Sequence, residues 1–313
     1  MDDWRPTAGR HALEVRAELM RRTRAFFDAR GLLEVETPML SAAAPTDPNI
    51  PSVAAGDRWL QTSPEFPMKR LLAAGVGDCW QLCRVFRAGE AGRLHNPEFT
   101  LLEWYRVGWD DAALMDEVET LVNEVLAGFR ALEPGERVTY AQAFHRATGV
   151  AHVAADAERC AAIARDCNLA APPDLTLAQW HDLILGAVAM PKLGCDGLCF
   201  ITDFPAEQAA LARLRGMPPV AARFELVVDG MEIANGYHEL CDPVEQARRF
   251  HADNAARATA GLPTLPQDAR LLAALEHGLP DCAGVALGFD RLVMLALGAD
   301  HIQDAIAFPA DRA

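Results

Sequence analysis

The residues best able to do chemistry in this chain are carboxylates that the folding pattern would gather on one face of a sheet. Asp229 and Gly230 separate two alternating runs, 224–228 and 231–235, and an Asp-Gly pair in that position is a strong signal of a two-residue hairpin turn. Such a turn sets Val227 opposite Glu232. Glu225 and Val227 share a face, so Glu225 and Glu232 are expected on the same side of the sheet. Neighbouring carboxylates repel unless a cation lies between them, and this pair suits Mg²⁺ carrying a triphosphate, because a hard ion takes a few carboxylate oxygens plus phosphate oxygens. Two solvated or separately paired carboxylates are the plainer alternative. A second group lies on the run from Glu98, where alternation puts Phe99, Leu101, Glu103 and Tyr105 on one face, an aromatic platform beside a carboxylate. Arg87, Arg93 and Arg291 are candidate phosphate partners or ordinary surface cations.

These side chains need a scaffold. Residues 79–87 and 98–106 read as strands joined by a glycine-containing loop, a long antiparallel pair. Upstream, Leu13, Leu19, Met20, Phe26 and Phe27 recur near helical spacing over 11–30, with Gly31 as a stop. Leu33, Val35 and Thr37 then alternate with Glu34 and Glu36 until Pro38 ends the strand pattern. Downstream, Leu114 to Phe129 follow a helical pattern with Asp110 as cap. Further helices are expected over 243–260 and 268–277, a buried strand over 284–289, and a closing helix capped by Asp290. Residues from about 139 to 215 are Ala-rich, are broken at Pro172-Pro173 and Pro191, and are expected as a helical insertion. Mostly antiparallel strands with segregated helices predict one α+β layered domain over 1–313 rather than a doubly wound sheet.

Composition narrows the function. With 313 residues, 51% apolar and 23% charged, the chain can fill a large core. The net charge of −15 repels a phosphate backbone unless a local basic patch opposes it. No apolar stretch approaches the roughly 20 residues that a membrane helix needs, and the N-terminus lacks a signal-peptide pattern, so a cytoplasmic protein is expected. Eight cysteines are scattered without a zinc-ribbon spacing and read as reduced, mostly buried thiols. The chain contains no G-x-x-x-x-G-K-[ST] loop, no H-E-x-x-H and no G-x-S-x-G, so any use of ATP must rest on Arg side chains and Mg²⁺.

Several blocks resemble a known family. Glu34-Val-Glu-Thr-Pro38, then Phe86-Arg87 followed by His95-Asn-Pro-Glu-Phe99-Thr-Leu-Leu-Glu103-Trp-Tyr105, then Gly288-Phe-Asp-Arg291-Leu resemble the three class II aminoacyl-tRNA synthetase motifs in order. The second is similar to lysyl-tRNA synthetases in detail. Thr62-Ser-Pro-Glu65, Glu232-Ile-Ala-Asn-Gly-Tyr-His-Glu239-Leu and Ala286-Leu-Gly288 look most like the paralogues that ligate β-lysine to elongation factor P. The resemblance runs from about residue 10 to the C-terminus and implies a six-stranded antiparallel sheet flanked by helices, in a homodimer with contacts near Pro38.

It also implies roles. Arg87 would hold the α-phosphate of ATP, and Phe99 and Arg291 would sandwich the adenine. Ala88, Gly89, Asn96, Leu226 and Gly288 would line the nucleotide site, and Glu225 and Glu232 would hold Mg²⁺. Ser63, Pro64, Glu65, Tyr105, Glu232, Asn235, Tyr237, Glu239 and Ala286 would form the amino-acid pocket, its carboxylates matched to ammonium groups. Strict alternation puts Asn235, Tyr237 and Glu239 on the face opposite Glu232, so a bulge or bend near Gly236 is required. Two positions depart from the synthetase pattern. Arg87-Ala88-Gly89-Glu90 replaces the usual Arg-Asn-Glu, leaving Glu90 as the nearest substitute carboxylate, and Ala286 stands where lysyl-tRNA synthetases carry Gly, which tilts specificity away from α-lysine. Only about ten residues precede the first helix, so no anticodon-binding barrel is expected. The implied reaction is ATP-dependent activation of (R)-β-lysine or lysine as an adenylate and transfer to a lysine of elongation factor P. A core that charges tRNA or a small molecule, and a silent regulatory paralogue, are the alternatives.

Overall fold

A computed structural model describes residues 4–172, 174–195 and 197–313; Pro173 of the expected Pro172-Pro173 break lies outside them. In chain order the elements begin with helix α1 (Arg10–Ala29) and short strands β1 (Leu33–Glu34), β2 (Leu40–Ser41), β3 (Ala54–Ala55) and β4 (Arg58–Leu60). Helix α2 (Glu65–Ala73), strands β5 (Cys79–Phe86) and β6 (Glu98–Val107) and helix α3 (Asp111–Leu126) follow. Next come β7 (Glu133–Thr139), α4 (Tyr140–Thr148), α5 (Ala157–Asp166), α6 (Leu177–Ile184), β8 (Gly197–Pro205), β9 (Leu214–Arg215), β10 (Val220–Val228) and β11 (Met231–His238). The chain closes with α7 (Pro243–Thr259), α8 (Ala269–Gly278), β12 (Cys282–Gly288) and α9 (Phe289–Leu297). Two compact units result: Met1–Trp109, Thr120–Ala131 and Leu240–Ala313 form the first, and Asp110–Glu119 with Leu132–Glu239 the second.

In the first unit the large-sheet strands run β1-β5-β6-β12, with β2-β4-β3 as a separate small sheet. β5 and β6 are antiparallel from Cys79 opposite Tyr105 to Phe86 opposite Glu98, as the alternation predicts. The cross-strand pair Trp80 and Trp104 lies on the back face, where Phe27 of α1 stacks on Trp80 at 4.7 Å and meets Trp104 edge-on at 5.4 Å. α1 therefore shields one face of the sheet. Its buried stripe is Ala12, Val15, Leu19, Thr23, Phe26 and Phe27; Leu13, expected in that stripe, faces solvent. On the other face Tyr105 and Cys79 join a core with Met68 and Leu72 of α2, Phe250 of α7 and Leu271 and Leu275 of α8.

In the second unit the order is β11-β10-β8-β7, with β9 paired to β10. A core of Val138, Tyr140, Phe144, Trp180, Ile184, Ile201, Phe204 and Val227 joins α4, α6, β7, β8 and β10. The range expected as a helical insertion is mostly helical as far as Lys192, but Gly197–Pro205 is a buried strand because its run Leu198, Cys199, Phe200, Ile201 is apolar on both faces, and only a single 3-10 turn, Ala206–Gln208, follows it.

The α+β class holds, but the six-stranded all-antiparallel sheet needs correction: among the described residues the two units carry four and five large-sheet strands, and β1 pairs β5, and β7 pairs β8, in parallel. Parallel pairing needs a long crossover, and α4 to α6 provide one between β7 and β8. Among the described residues no helix is long and apolar enough to cross a membrane. The cysteines are free, with Cys79, Cys160, Cys199 and Cys282 buried.

Candidate active site

The first unit builds its site on the face of β5, β6 and β12 that α1 leaves uncovered. Register places Glu103 between Gln81 on β5 and Ala286 on β12, Tyr105 between Cys79 and Gly284, and Leu101 between Cys83 and Gly288. Cross-strand neighbours share a face, so the alternating Gly284, Ala286 and Gly288 keep β12 low beside the taller side chains of β6.

Glu103 is the centre of this face. It is 2% exposed; Tyr105 donates its hydroxyl to Oε1 at 2.7 Å and Ser63 donates to Oε2 at 2.7 Å. Ser63 in turn accepts the Glu65 amide at 3.0 Å, which fixes the entry to α2. One turn on, Lys69 reaches back from i+4 to Glu65 Oε1 at 2.7 Å, although its ammonium is almost wholly buried. Burial, reinforced by the neighbouring Glu65, pushes the Glu103 carboxyl up to about 7, against the bonds from Ser63 and Tyr105 and the charge of Lys69. Two carboxylates and one fixed ammonium form an acidic pocket suited to a second, incoming ammonium. Cys79 and Cys83 beside it are held as neutral thiols by burial, both pushed up to about 12.

Nearby on the same unit, the Arg87 guanidinium lies 5.1 Å from the Phe99 ring centroid, with Nε donating to the Thr62 carbonyl at 3.3 Å. Glu90 Oε1 is 3.6 Å from Arg87 Nη1, one residue beyond Gly89. Gly89 itself has φ 77°, a left-handed turn conformation that suits glycine, while the Ala88 amide donates to the Pro51 carbonyl at 2.8 Å. Arg291 Nε donates to the Leu94 carbonyl at 3.3 Å, and Nη2 meets His95 Nε2 at 2.8 Å. Asn96 is engaged with the backbone: Nδ2 donates to the Glu98 carbonyl at 2.5 Å and Oδ1 accepts the Ala310 amide at 3.0 Å. Asp290 does not cap α9. Gly288 is the N-cap without a side-chain bond, and Asp290 turns inward to Arg16 and the Thr100 amide, because a buried carboxylate finds a stronger partner in a guanidinium than in the helix end.

In the second unit the Asp229-Gly230 turn forms as expected, with both residues at positive φ (49° and 71°), and sets Val227 opposite Glu232. A bulge then intervenes. Leu226 pairs with Ala234 and Glu225 with Asn235, so Ile233 is the extra residue, and Glu225, Glu232, Asn235 and Tyr237 all lie on one face. The required irregularity is present, three residues earlier than Gly236. Glu225 is 6% exposed and takes Arg223 Nη2 at 2.5 Å; burial and the nearby Glu232 push it up to about 7, opposed by Arg223. Arg223 is held over Phe204 at 4.4 Å and donates to the Gln208 carbonyl at 2.8 Å. Asn235 Oδ1 is buried without a hydrogen-bond partner, and Glu239 is buried with its carbonyl accepting two Arg213 bonds at 3.1 Å. The Leu226 side chain is buried in the core, so any ligand contact there would run through its backbone.

Sequence reasoning placed Glu103 on the right face without giving it a role, and omitted Lys69, Arg223 and Arg16. Lys69 was readable as the i+4 partner of Glu65 and Arg223 as the same-face i+2 neighbour of Glu225; Arg16 announces itself only through distant partners.

The geometry can be set beside known proteins. A family model described as tRNA synthetases class II (D, K and N) matches residues 2–312. The elongation factor P (R)-β-lysine ligase of Vibrio cholerae serotype O1 is 48% identical, with 99% of each chain covered. The proteins of the same name from Klebsiella pneumoniae strain 342 and Edwardsiella ictaluri are 47% and 46% identical, over 99% and 100% of this chain and 98% and 99% of theirs.

Proposed function

Since the chain belongs to the class II tRNA synthetases (D, K and N), we propose that it activates (R)-β-lysine with ATP as an adenylate and transfers the β-lysyl group to a lysine ε-amine of elongation factor P. The observation that carries this reading is the acidic pocket of Glu65 and Glu103 with Ser63 and Tyr105, on the same unit as the Arg87–Phe99 platform.

In the first step the amino acid's carboxylate oxygen attacks the α-phosphorus and pyrophosphate leaves. Glu103 and Glu65 grip the ammonium, and each Glu103 oxygen keeps a lone pair beyond its bond to Tyr105 or Ser63. Pro64, as the N-cap of α2, sets the angle at which Glu65 enters. Arg87 offsets charge on the α-phosphate, and Phe99 and Arg291 flank the adenine, with Ala88, Gly89, Asn96 and Gly288 shaping the surround. In the second step a neutral lysine amine attacks the adenylate carbonyl, an amide forms, and AMP leaves while the amine loses a proton. Ala286, cross-strand from Glu103, narrows the pocket by one methyl and favours the β isomer.

In the second unit Glu225 and Glu232 are proposed to hold Mg²⁺. Their fit is chemical: two neighbouring carboxylates, one of them held up in pKa by burial and then by the other's charge, gain from a hard cation. When bound, the ion supplies charge neutralisation for phosphate oxygens. Asn235, Tyr237, Glu239 and Leu226 are assigned to substrate and nucleotide by the same resemblance, and the orphan Oδ1 of Asn235 supports the first of these. Homodimerisation near Pro38 is supported by the exposed apolar side chains of Leu33, Met39 and Leu40. A cytoplasmic location accords with an acceptor that is a translation factor.

Intact mass of purified elongation factor P tests the proposal, after incubation with this protein, ATP, Mg²⁺ and either (R)-β-lysine or L-lysine, with tRNA in parallel. A gain of one lysyl unit on the protein, larger with the β isomer, is expected. Labelled tRNA with unmodified protein would overturn the acceptor.

A further inference from the structure

We infer that Arg16, on α1 and on the back of the sheet, positions the two residues that flank the nucleotide. The inference rests on the reading that Phe99 and Arg291 hold the adenine. Arg16 is 14% exposed at its side chain and Asp290 2%, and they pair through Nη1 and Oδ1 at 2.5 Å. Arg16 Nη2 donates to Thr100 Oγ1 at 2.6 Å, and the other Asp290 oxygen, Oδ2, accepts the Thr100 backbone amide at 2.7 Å. Arg16, Asp290 and Thr100 thus close a ring of three bonds. The guanidinium also lies 5.6 Å from the Phe289 ring centroid and 3.4 Å from the Ala305 carbonyl.

The ring has a definite place in the ladder. Strand pairing of β6 with β12 ends at Leu101 opposite Gly288, where β12 gives way to α9. Beyond that point the Thr100 amide has no strand acceptor, and the Asp290 carboxylate takes that place. Phe99 is the residue before Thr100, and Arg291 the residue after Asp290. Alternation turns Phe99 to the opposite face from Thr100, and one helical step of about 100° separates Arg291 from Asp290. Fixing Thr100 to Asp290 therefore fixes the separation and orientation of the two backbones that carry the flanking side chains. Only a fork can hold both partners at once. A Lys at this position would keep the charge opposite Asp290 and lose the bond to Thr100.

The test uses the full chain in (R)-β-lysine-dependent ATP–pyrophosphate exchange, with thermal melting alongside. Arg16→Lys should raise KM for ATP about tenfold while leaving KM for the amino acid within twofold. A purely structural strut would lower Tm and the active fraction without moving KM for ATP, so a folded Arg16→Lys variant with parental KM for ATP overturns the inference. Should that variant not fold, the double change Arg16→Met with Asp290→Asn removes both buried charges and is read the same way. Phe99→Ala and Arg291→Ala separate the two levels. If they raise KM for ATP and Arg16→Lys does not, only this inference fails; if they leave it unchanged, the adenine reading fails, and the positioning role falls with it.

Discussion

Replacing Glu103 by Gln should move stability and substrate use in opposite directions. The folded carboxyl keeps its proton up to about 7, against 4.5 for an unburied glutamate, because burial and Glu65 penalise the charged form. Between those values the unfolded chain releases the proton while the folded chain retains it. The folded state then binds more protons, so the contribution of Glu103 to stability is intact below 4.5, declines as pH rises, and is lost above 7. At about 1.4 kcal/mol per pH unit, the total loss is about 3 kcal/mol. Gln is neutral throughout and can still accept from Tyr105, although its amide nitrogen requires Ser63 to become an acceptor, which offsets about 1 kcal/mol. The variant should therefore be more stable than the parent by about 2 kcal/mol at pH 8, or roughly 3 °C in melting midpoint, and nearly equal to it at pH 5. Its amino-acid binding should weaken, since a charge-assisted bond to the substrate ammonium is worth about 1.5–3 kcal/mol, or about 10- to 150-fold in KM. Melting curves at pH 5 and 8, with (R)-β-lysine-dependent pyrophosphate exchange at pH 8, measure both effects. A stability difference that is the same at both pH values, or an unchanged KM for the amino acid, would refute the reasoning.

Glu232→Gln removes the charge that helps hold Glu225 up, and should raise the Mg²⁺ concentration for half-maximal exchange at least about tenfold; an unaltered Mg²⁺ titration would count against the carboxylate pair. Gly230→Ala should cost about 3 kcal/mol, since φ is +71° and the added Cβ would lie 2.7 Å from Pro191 Cα. Gly75→Ala, at φ +82° with open space around it, should cost only about 1 kcal/mol when both variants are unfolded in urea, and equal losses would show that backbone strain alone is at work. Ala286→Gly deletes the methyl beside Glu103, so kcat/KM for L-lysine relative to (R)-β-lysine should rise at least about tenfold; a ratio that does not move would remove Ala286 from the specificity account.

What the sequence revealed depended on the range of the interaction. The β5–β6 pair and the Asp229-Gly230 hairpin were legible because alternation and a two-residue turn are local signals. The shared face of Glu225 and Glu232 followed from them. The need for a bulge was also legible, but its place was not, since a glycine attracted the prediction and the ladder put the extra residue at Ile233. Asp290 was misread as a cap because its partner, Arg16, is 274 residues away. Leu13 was misread as core because the helix rotates its buried stripe onto Ala12 and Val15, residues whose small size hid their role. The strand read from Leu33 is present, but its parallel pairing was missed for a related reason: its partner β5 lies across a loop of more than forty residues, beyond the reach of any local signal.

The bulge at Ile233 makes an unusual statement about insertions and deletions. Small Ala234 and Gly236 lie opposite Leu226 and Phe224, and Asn235 and Tyr237 lie opposite Glu225 and Arg223, so size complementarity selects the bulged pairing over an unbroken one. Excising Ile233 would restore a regular ladder and leave every other side chain of β11 on its present side. A bulky residue at Gly236 would instead favour the unbroken register and turn Asn235 and Tyr237 away without altering either of them. Chains that vary in length here should accordingly gain or lose residue 233, which contributes curvature to the hairpin and not sidedness.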